Sequence, residues 1–243
     1  TGDDVFLKVA VTEELMRCGS GGFAASLGSL DIALPPLEKW GSQALKDKFV
    51  PPVLAGDLIA ALAITEPSGG SDVAGLKTRA VRSHSEEHGD HYVVTGSKTY
   101  ITSGIRADFY VTAVRTGGPG YAGISLLLIE RSRAGVSTGT PLKKMGWWAS
   151  DTAEIFFDNV IVPAENLIGS ENAGFLLIMS NFQMERLNLA VMANMTAQLA
   201  LEECLRYVHE RSAFGKPLAK FQVLRHKLAE MATQIEVSRE FTY

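Results

Sequence analysis

The sequence predicts an α+β protein of several domains, in the order helical, β, helical. Apolar residues at helical spacing fill the first part of the chain and return near its end, whereas short β-branched runs separated by glycines occupy the middle. Short strands at such spacing favour a sandwich or barrel over βαβ units. We therefore expect a partial N-terminal helical domain at residues 1–57, a middle β-barrel or sandwich domain at 58–168, and a partial C-terminal helical bundle at 169–243.

The first domain is predicted as helices with local end signals. Gly19 follows the first helix as a terminator, and Ser42 is a plausible N-cap for the third. The pairs Pro35-Pro36 and Pro51-Pro52 are expected to end the second and third helices, because proline lacks the N–H that a helix interior needs. The predicted helices are 4–18, 22–34 and 43–49.

The middle domain is predicted as a series of short strands. Glycines lie between the β-branched and apolar runs, where turns need them. A polar stretch at 83–90 is predicted to form a turn. The predicted strands are 58–65, 76–81, 92–95, 99–102, 109–115, 124–130 and 154–157.

The third domain is predicted to contain a long helix over 171–209 and a second helix over 221–243, with a break at Gly215-Lys216-Pro217. The expected apolar face of the long helix includes Phe175, Ile178, Phe182, Leu189, Met192 and Thr196.

Glu185 lies on this expected apolar face, three residues after Phe182 and four before Leu189. Burial disfavours the charged form of a carboxyl group, so the position is costly. It indicates either an ion pair, with Arg186 or Arg211, or a working base, and the pattern alone leaves both open.

Composition narrows the class of protein. The chain has 243 residues, 46% of them hydrophobic and 21% charged, which is ordinary for a globular protein. The formal net charge is −4 without any run of Lys or Arg, which argues against nucleic acid or an anionic membrane as the main partner. No apolar stretch is long enough to span a membrane.

Two further features concern the compartment and the extent of the chain. Cys18 and Cys204 are predicted to be free thiols in a reducing compartment. The sequence starts without Met and its last helix has no stop signal, so we expect a fragment of a longer protein.

Two polar stretches next to predicted strands have the composition of a binding site. The run TEPSGGSD at 65–72 can bring backbone N–H groups and hydroxyls close to an anion or a flat polar ring. Tyr100 and Thr102 are two apart in a strand, so both point to one face, where a ring and a hydroxyl would suit a flavin edge. The alternatives are an ordinary turn and an ordinary strand pair.

Two other clusters have simpler explanations. His84, His88 and His91 have a spacing typical of metal ligands, but they flank a polar turn without a cysteine, which favours a solvated hairpin tip. Arg211 precedes the linker between the last two helices and could bind a phosphate or cap the preceding helix.

Five motifs follow one another along the chain. They are AITEPSGGSD at 63–72, YIT at 100–102, KMG at 144–146, FDNV at 157–160 and ERSAFG at 210–215. In this combination the chain resembles the acyl-CoA dehydrogenase family over essentially its whole length. The resemblance implies a helical N-terminal domain, a middle β domain and a C-terminal four-helix bundle.

The resemblance also implies an activity. Family members use FAD to introduce a double bond between Cα and Cβ of an acyl-CoA thioester. A carboxylate takes the α-proton, the β-hydrogen leaves as hydride to flavin N5, and electrons pass to an electron-transfer flavoprotein. A homotetramer built as a dimer of dimers is implied, in the cytoplasm of a bacterium or the mitochondrial matrix of a eukaryote.

Site residues carry over position by position. The implied FAD-binding residues are Ile64, Thr65, Ser71, Tyr100, Ile101, Thr102, Arg211, Phe214 and Gln222. The implied substrate-binding residues are Ser71, Tyr121, Ala122, Gln183, Met184 and Arg186. Arg211 and Gln222 match residues that reach the FAD of a neighbouring subunit. Two positions depart from the common pattern, since Tyr100 replaces a frequent Trp and Ala213 a common Thr.

The implied base is Glu185. Many family members carry the base far along the C-terminal domain, whereas the long-chain and isovaleryl types carry it on the first C-terminal helix in a Glu-Arg-Leu context. Glu185-Arg186-Leu187 matches that second placement. Burial would raise the pKa of Glu185 toward the range that a general base needs.

Two rival functions stay open, since a fold does not fix chemistry. A flavin monooxygenase or oxidase on the same fold would show rapid reoxidation of reduced flavin by air. A non-catalytic family member would bind FAD but never bleach with any acyl-CoA.

Overall fold

The computed structural model describes residues 4–243, apart from the side chain of Ser29, so residues 1–3 of the predicted first domain lie outside the described part. The chain divides into two compact units. The larger is Ala25–Gln183, and the smaller combines Met184–Tyr243 with the residues up to Ala24.

The N-terminal helices are α1 (Val5–Met16), α2 (Gly21–Ser26), α3 (Leu34–Trp40) and α4 (Gln43–Ala55), and a π-helical turn, Ser29–Ala33, precedes α3. The predicted N-cap of α4 is confirmed, because the Ser42 side chain accepts a hydrogen bond from the Leu45 N–H at 3.3 Å.

The expectation that proline pairs end these helices is wrong. Pro35 and Pro36 lie in the first turn of α3, where the missing N–H has no partner to lose. Pro51-Pro52 lies inside α4, whose last turn buries Val53 in the core. Gly56, with a left-handed φ of 84°, ends that helix instead.

Eight strands form one sheet in the larger unit. They are β1 (Ala60–Ala63), β2 (Arg79–Ser85), β3 (Gly89–Thr102), β4 (Phe109–Arg115), β5 (Ile124–Glu130), β6 (Val136–Thr138), β7 (Thr152–Pro163) and β8 (Leu167–Ile168). The order is β6-β7-β3-β2-β4-β5-β8, and β1 pairs with β4 in parallel. The expected strands 109–115 and 124–130 are confirmed to the residue.

Both faces of the sheet are covered. Phe109, Val111 and Ala113 of β4 join the residues of α3 and α4 in one core cluster. Tyr110 and Val114, on the opposite face, join residues of β3 and β7 in a second cluster. The sheet therefore folds over itself, which confirms the predicted barrel or sandwich arrangement of the middle domain.

The two strands expected at 92–95 and 99–102 form a single strand with bulges. The register of β3 against β7 shifts between Val94 and Gly96 and again between Lys98 and Ile101. Gly96 has a φ of 153°, and a Cβ there would lie 2.6 Å from Thr78 Oγ1, so only glycine fits.

The smaller unit contains α1 and two long helices. Helix α5 (Gly174–Glu210) starts in the larger unit and continues into this one, and α6 (Gln222–Thr242) follows a hairpin of β9 (Ser212–Ala213) and β10 (Lys216–Pro217). Asn194 of α5 donates to Thr242 Oγ1 at 2.8 Å, and Arg239 of α6 contacts Glu13 of α1 at 3.4 Å.

The expected apolar face of α5 is only partly right. Ile178 is buried, but Leu189 is 47% exposed and Thr196 is exposed. The positions of α5 that are buried beyond Gln183 are Val191, Met195, Leu201 and Val208. Cys18 and Cys204 are free and exposed. Across residues 4–243, no helix has the length and apolar character needed to cross a membrane.

Candidate functional site

A buried carboxylate, that of Glu66, anchors the loop that follows β1. Glu66 is 5% exposed, and its two oxygens accept hydrogen bonds from the N–H of Lys77 at 2.6 Å and of Thr78 at 2.9 Å. The Lys98 ammonium, fully buried, lies 2.9 Å from Glu66 Oε1. The charge of Lys98 helps to hold the pKa of Glu66 below its usual range, against the opposing effect of burial.

A backbone hydrogen bond brings the two predicted binding motifs together. The Thr99 N–H donates to the carbonyl of Thr65 at 2.8 Å, so the TEPSGGSD loop lies against the YIT segment of β3. The loop itself begins with a tight turn in which Glu66 and Gly69 exchange both backbone hydrogen bonds. Thr65 is half-buried, whereas Ser71 is exposed.

The YIT segment presents its ring through a bulge. Tyr100 has a left-handed φ of 57° and is 69% exposed, and Thr102 is also exposed. Ile64 and Ile101 behave differently, because their side chains lie in the two core clusters. These two residues could meet a ligand only through main-chain atoms.

The chain after Thr102 is held by Asp151. Its carboxylate accepts from the Ile105 N–H at 2.8 Å and pairs with the Arg106 guanidinium at 2.7 Å, and its carbonyl accepts from the Ser103 N–H at 3.0 Å. Ser103 has a φ of 60°, and its buried Oγ has no hydrogen-bond partner among residues 4–243.

Arg115 connects the end of the first loop to the segment that contains Tyr121 and Ala122. Its guanidinium donates to the carbonyls of Leu76 and Ala74 at 2.9 and 2.6 Å, and to those of Gly118 and Gly120 at 2.6 and 3.1 Å. Tyr121 is 62% exposed, with its ring centroid 5.8 Å from that of Phe175. One side chain therefore fixes the backbone just before an accessible tyrosine and ties it to residues 74–76.

Glu185 lies in the smaller unit, in the first third of α5. It is half-buried, and its buried Oε2 has no hydrogen-bond partner in the part of the chain that the structure describes. Burial raises the pKa of Glu185, while the charge of Arg186 acts in the opposite direction. One turn further along the helix, the Oδ1 of Asn188 is also buried and unpartnered among the described residues.

The raised pKa predicts that Glu185→Gln is more stable than the wild type at neutral pH. The folded state favours the protonated acid, so its contribution to stability is fully present below the unfolded pKa of about 4.3 and is lost as the pH rises through the higher folded pKa. Melting temperatures of both proteins from pH 4 to 8 should coincide at the acid end and diverge toward neutral pH. A constant difference at every pH would contradict this explanation.

The other predicted residues of α5, and those of the hairpin after it, are accessible. Gln183 and Arg186 are exposed and Met184 is half-buried. Arg211 and Gln222, at the two ends of the hairpin segment, are exposed. The hairpin tip carries Phe214, which is 95% exposed and has a φ of 51°. Five of these six side chains are exposed and Met184 is partly exposed, so all six are able to contact a ligand.

The histidines of the β2–β3 hairpin have local partners. His84 Nδ1 lies 2.7 Å from Asp90 Oδ1, and His91 Nδ1 lies 2.8 Å from the Gly89 carbonyl. Between Asp4 and Tyr243 no three His, Cys, Asp or Glu side chains are grouped so that they could hold a metal ion.

Lys98, Glu66 and Arg115 hold the backbone of these segments, and no sequence motif predicts a role for any of the three side chains. Lys98 lies between the two predicted strands 92–95 and 99–102, and the bulges on either side of it interrupt the alternation that would have indicated an inward side chain. A lysine at an inward strand position requires a buried acceptor, which the sequence does not identify.

Family models for acyl-CoA dehydrogenases match almost the entire chain. The N-terminal domain model matches residues 1–57, the middle domain model 61–160 and the C-terminal domain model 172–243. The mitochondrial long-chain specific acyl-CoA dehydrogenase of Mus musculus is 39% identical over 244 residues, covering 99% of this chain and 55% of that protein.

Solved structures of acyl-CoA dehydrogenases are also similar to this chain. The crystal structure of a probable acyl-CoA dehydrogenase from Mycobacterium abscessus superposes with a TM-score of 0.93 at 52% identity, covering 97% of this chain and 61% of that one. An acyl-CoA dehydrogenase from Bacillus anthracis complexed with FAD gives 0.92 at 32% identity, covering 100% of this chain and 40% of that one. The chain spans about half the length of the curated relatives it matches.

Proposed function

Because the chain belongs to the acyl-CoA dehydrogenase family, we propose that the full-length protein uses FAD to introduce a double bond between Cα and Cβ of an acyl-CoA thioester. The observation that carries the proposal is the buried, unpartnered Oε2 of Glu185 among the described residues. A structural carboxylate at such a position is expected to have hydrogen-bond partners, whereas a base must keep an oxygen available for a proton.

The residues of the larger unit fit a flavin. Thr65 and Thr102 supply hydroxyls, Tyr100 supplies an accessible ring, and the Thr99–Thr65 hydrogen bond joins the segments that carry them. Ser71 is exposed at the end of the loop, and Ile64 and Ile101 contribute main-chain atoms. When bound, FAD supplies the two-electron acceptor that none of the twenty side chains provides.

Glu185 takes the α-proton of the thioester in this proposal. Its raised pKa brings the conjugate acid closer to neutrality, which improves proton acceptance relative to an exposed glutamate. Ser71, Tyr121, Ala122, Gln183, Met184 and Arg186 bind the acyl-CoA, and the exposure of Tyr121 and Gln183 is compatible with that role.

The proposed assembly is a homotetramer built from two dimers. Arg211, Phe214 and Gln222 of one subunit would contact the FAD of its neighbour, a role that suits the exposed Phe214 at a hairpin tip. Electrons then pass to an electron-transfer flavoprotein. The proposed location is the cytoplasm of a bacterium or the mitochondrial matrix of a eukaryote.

The test is an anaerobic titration of the full-length protein with short-chain, long-chain and branched acyl-CoAs while flavin absorbance is recorded. We expect bleaching with at least one of them, and slow reoxidation when air is admitted. Fast reoxidation would instead support an oxidase or monooxygenase. A protein that holds FAD and bleaches with no acyl-CoA would overturn the proposed dehydrogenation.

A further inference from the structure

The Lys98 side chain reaches from β3 to the segment immediately after β1. Its ammonium donates to the Ile64 carbonyl at 3.0 Å and to Glu66 Oε1 at 2.9 Å, and the side chain is fully buried. A buried ammonium is tolerated only where acceptors surround it, and both acceptors here flank Thr65. The neighbouring Thr99 N–H also bonds to Thr65, so three consecutive residues of the loop are held by two residues of β3.

Glu66 extends this network to a third segment. Its carboxylate accepts the N–H groups of Lys77 and Thr78, which lead into β2, while its backbone closes the turn with Gly69. The end of β1, the start of β2 and the middle of β3 therefore converge on one ion pair. Residues 67–72 are exposed, so the loop is held by buried contacts on one side and is accessible to a ligand on the other.

We propose that the Lys98–Glu66 ion pair is a positioning element for the cofactor, which fixes the main chain of residues 64–69 so that Thr65 and the hydroxyl-rich loop meet FAD in one conformation. The inference depends on the proposed function, because the loop is assigned to FAD there. Neither side chain is a catalytic residue, since Lys98 and Glu66 act through the backbone that they hold.

The physical reason is preorganisation. A loop containing two adjacent glycines has many accessible backbone conformations, and binding would have to restrict them at a cost in affinity. Restricting them in advance removes that cost. The ion pair does so without occupying the exposed face of the loop, and it gives the buried Ile64 carbonyl and two buried or half-buried N–H groups their partners.

The experiment uses the full-length protein with the substitution Lys98→Met, and Lys77→Met as the matched control, because the Lys77 side chain is exposed and only its backbone joins the network. After circular dichroism confirms folding, FAD affinity is measured by fluorescence titration and the spectrum of bound flavin is recorded. We expect FAD to bind at least about tenfold more weakly in Lys98→Met. Its bound spectrum should approach that of free FAD, while the control matches the wild type.

A second variant covers the case in which Lys98→Met does not fold. Glu66→Gln combined with Lys98→Met removes both charges and keeps similar shapes, so no buried charge is left unpaired. This double variant should fold yet keep the weakened FAD binding, because the Ile64 carbonyl has lost its donor. Folded variants that bind FAD like the wild type would overturn the positioning role.

The two proposals fail in distinguishable ways. A wild-type protein that binds no FAD would contradict the proposed function itself. A wild-type protein that binds FAD and bleaches with acyl-CoA, with both Lys98 variants equal to it in affinity and spectrum, would contradict only the role of the ion pair.

Discussion

Replacing Glu185 with glutamine is expected to leave FAD bound and to abolish its reduction by acyl-CoA. Glutamine has nearly the same shape but cannot accept a proton at its amide, so the substitution removes the base with little change in packing. Loss of general-base catalysis typically slows a reaction about 10²–10⁴-fold. The buried position of Glu185 Oε2, without a partner among the described residues, is what makes the full effect expected.

The measurement is the rate of flavin bleaching after anaerobic mixing with the acyl-CoA that reduces the wild type fastest. Glu202→Gln is the matched control, because Glu202 is an exposed glutamate on the same helix. The control should keep the wild-type rate and both variants should retain FAD. Wild-type-like bleaching in Glu185→Gln would remove Glu185 from the mechanism and leave its burial without a catalytic explanation.

The local sequence pattern predicted those helices and strands whose apolar positions form one continuous signal. Strands β4 and β5 are apolar at nearly every position because both faces of the sheet are covered, so their ends coincide with the predicted ones. Helix α5 was recognisable from apolar spacing within a few residues at each end. In both cases the signal lies within a single stretch of the sequence.

Predictions failed where distant contacts outweighed local preference. Proline normally ends a helix, yet α4 continues through Pro51-Pro52 because Val53 packs into the core beyond them. Two expected strands proved to be one because Gly96 bulges where Thr78 approaches its backbone. Neither contact can be predicted from local sequence, because each joins residues from different segments of the chain.

The residues of the candidate site also divide into those that a local pattern indicates and those that depend on contacts between distant segments. Glu185 could be proposed as a candidate base because a carboxylate among apolar helical positions is conspicuous within one segment. The ion pair behind the TEPSGGSD loop could not, since Glu66 and Lys98 are 32 residues apart and each is ordinary in its own segment. Arg115 likewise has its partners in two other loops.

Breaking that ion pair is expected to cost more stability than any other single polar change in the larger unit. Lys98→Met leaves the Glu66 carboxylate buried with two N–H donors but no counter-charge, and Glu66→Gln leaves a fully buried ammonium. Removing one partner of a buried pair typically lowers the free energy of unfolding by about 3–5 kcal/mol. Urea unfolding of each single variant, followed by circular dichroism, measures the loss.

The stability of the double variant shows whether the ion pair adds net stability to the fold, or whether each charge only offsets the cost of burying the other. Burial lowers the pKa of Lys98 to about 8, so the ammonium has lost hydration that Glu66 does not fully restore. Because that cost disappears when both charges are removed, the double variant should be far more stable than the sum of the single losses predicts. Strictly additive losses would mean that the two groups do not interact, in conflict with their 2.9 Å separation.

A double variant close to the wild type in stability, but weak in FAD binding, would show that the charges are retained for the geometry of the loop and not for the stability of the fold.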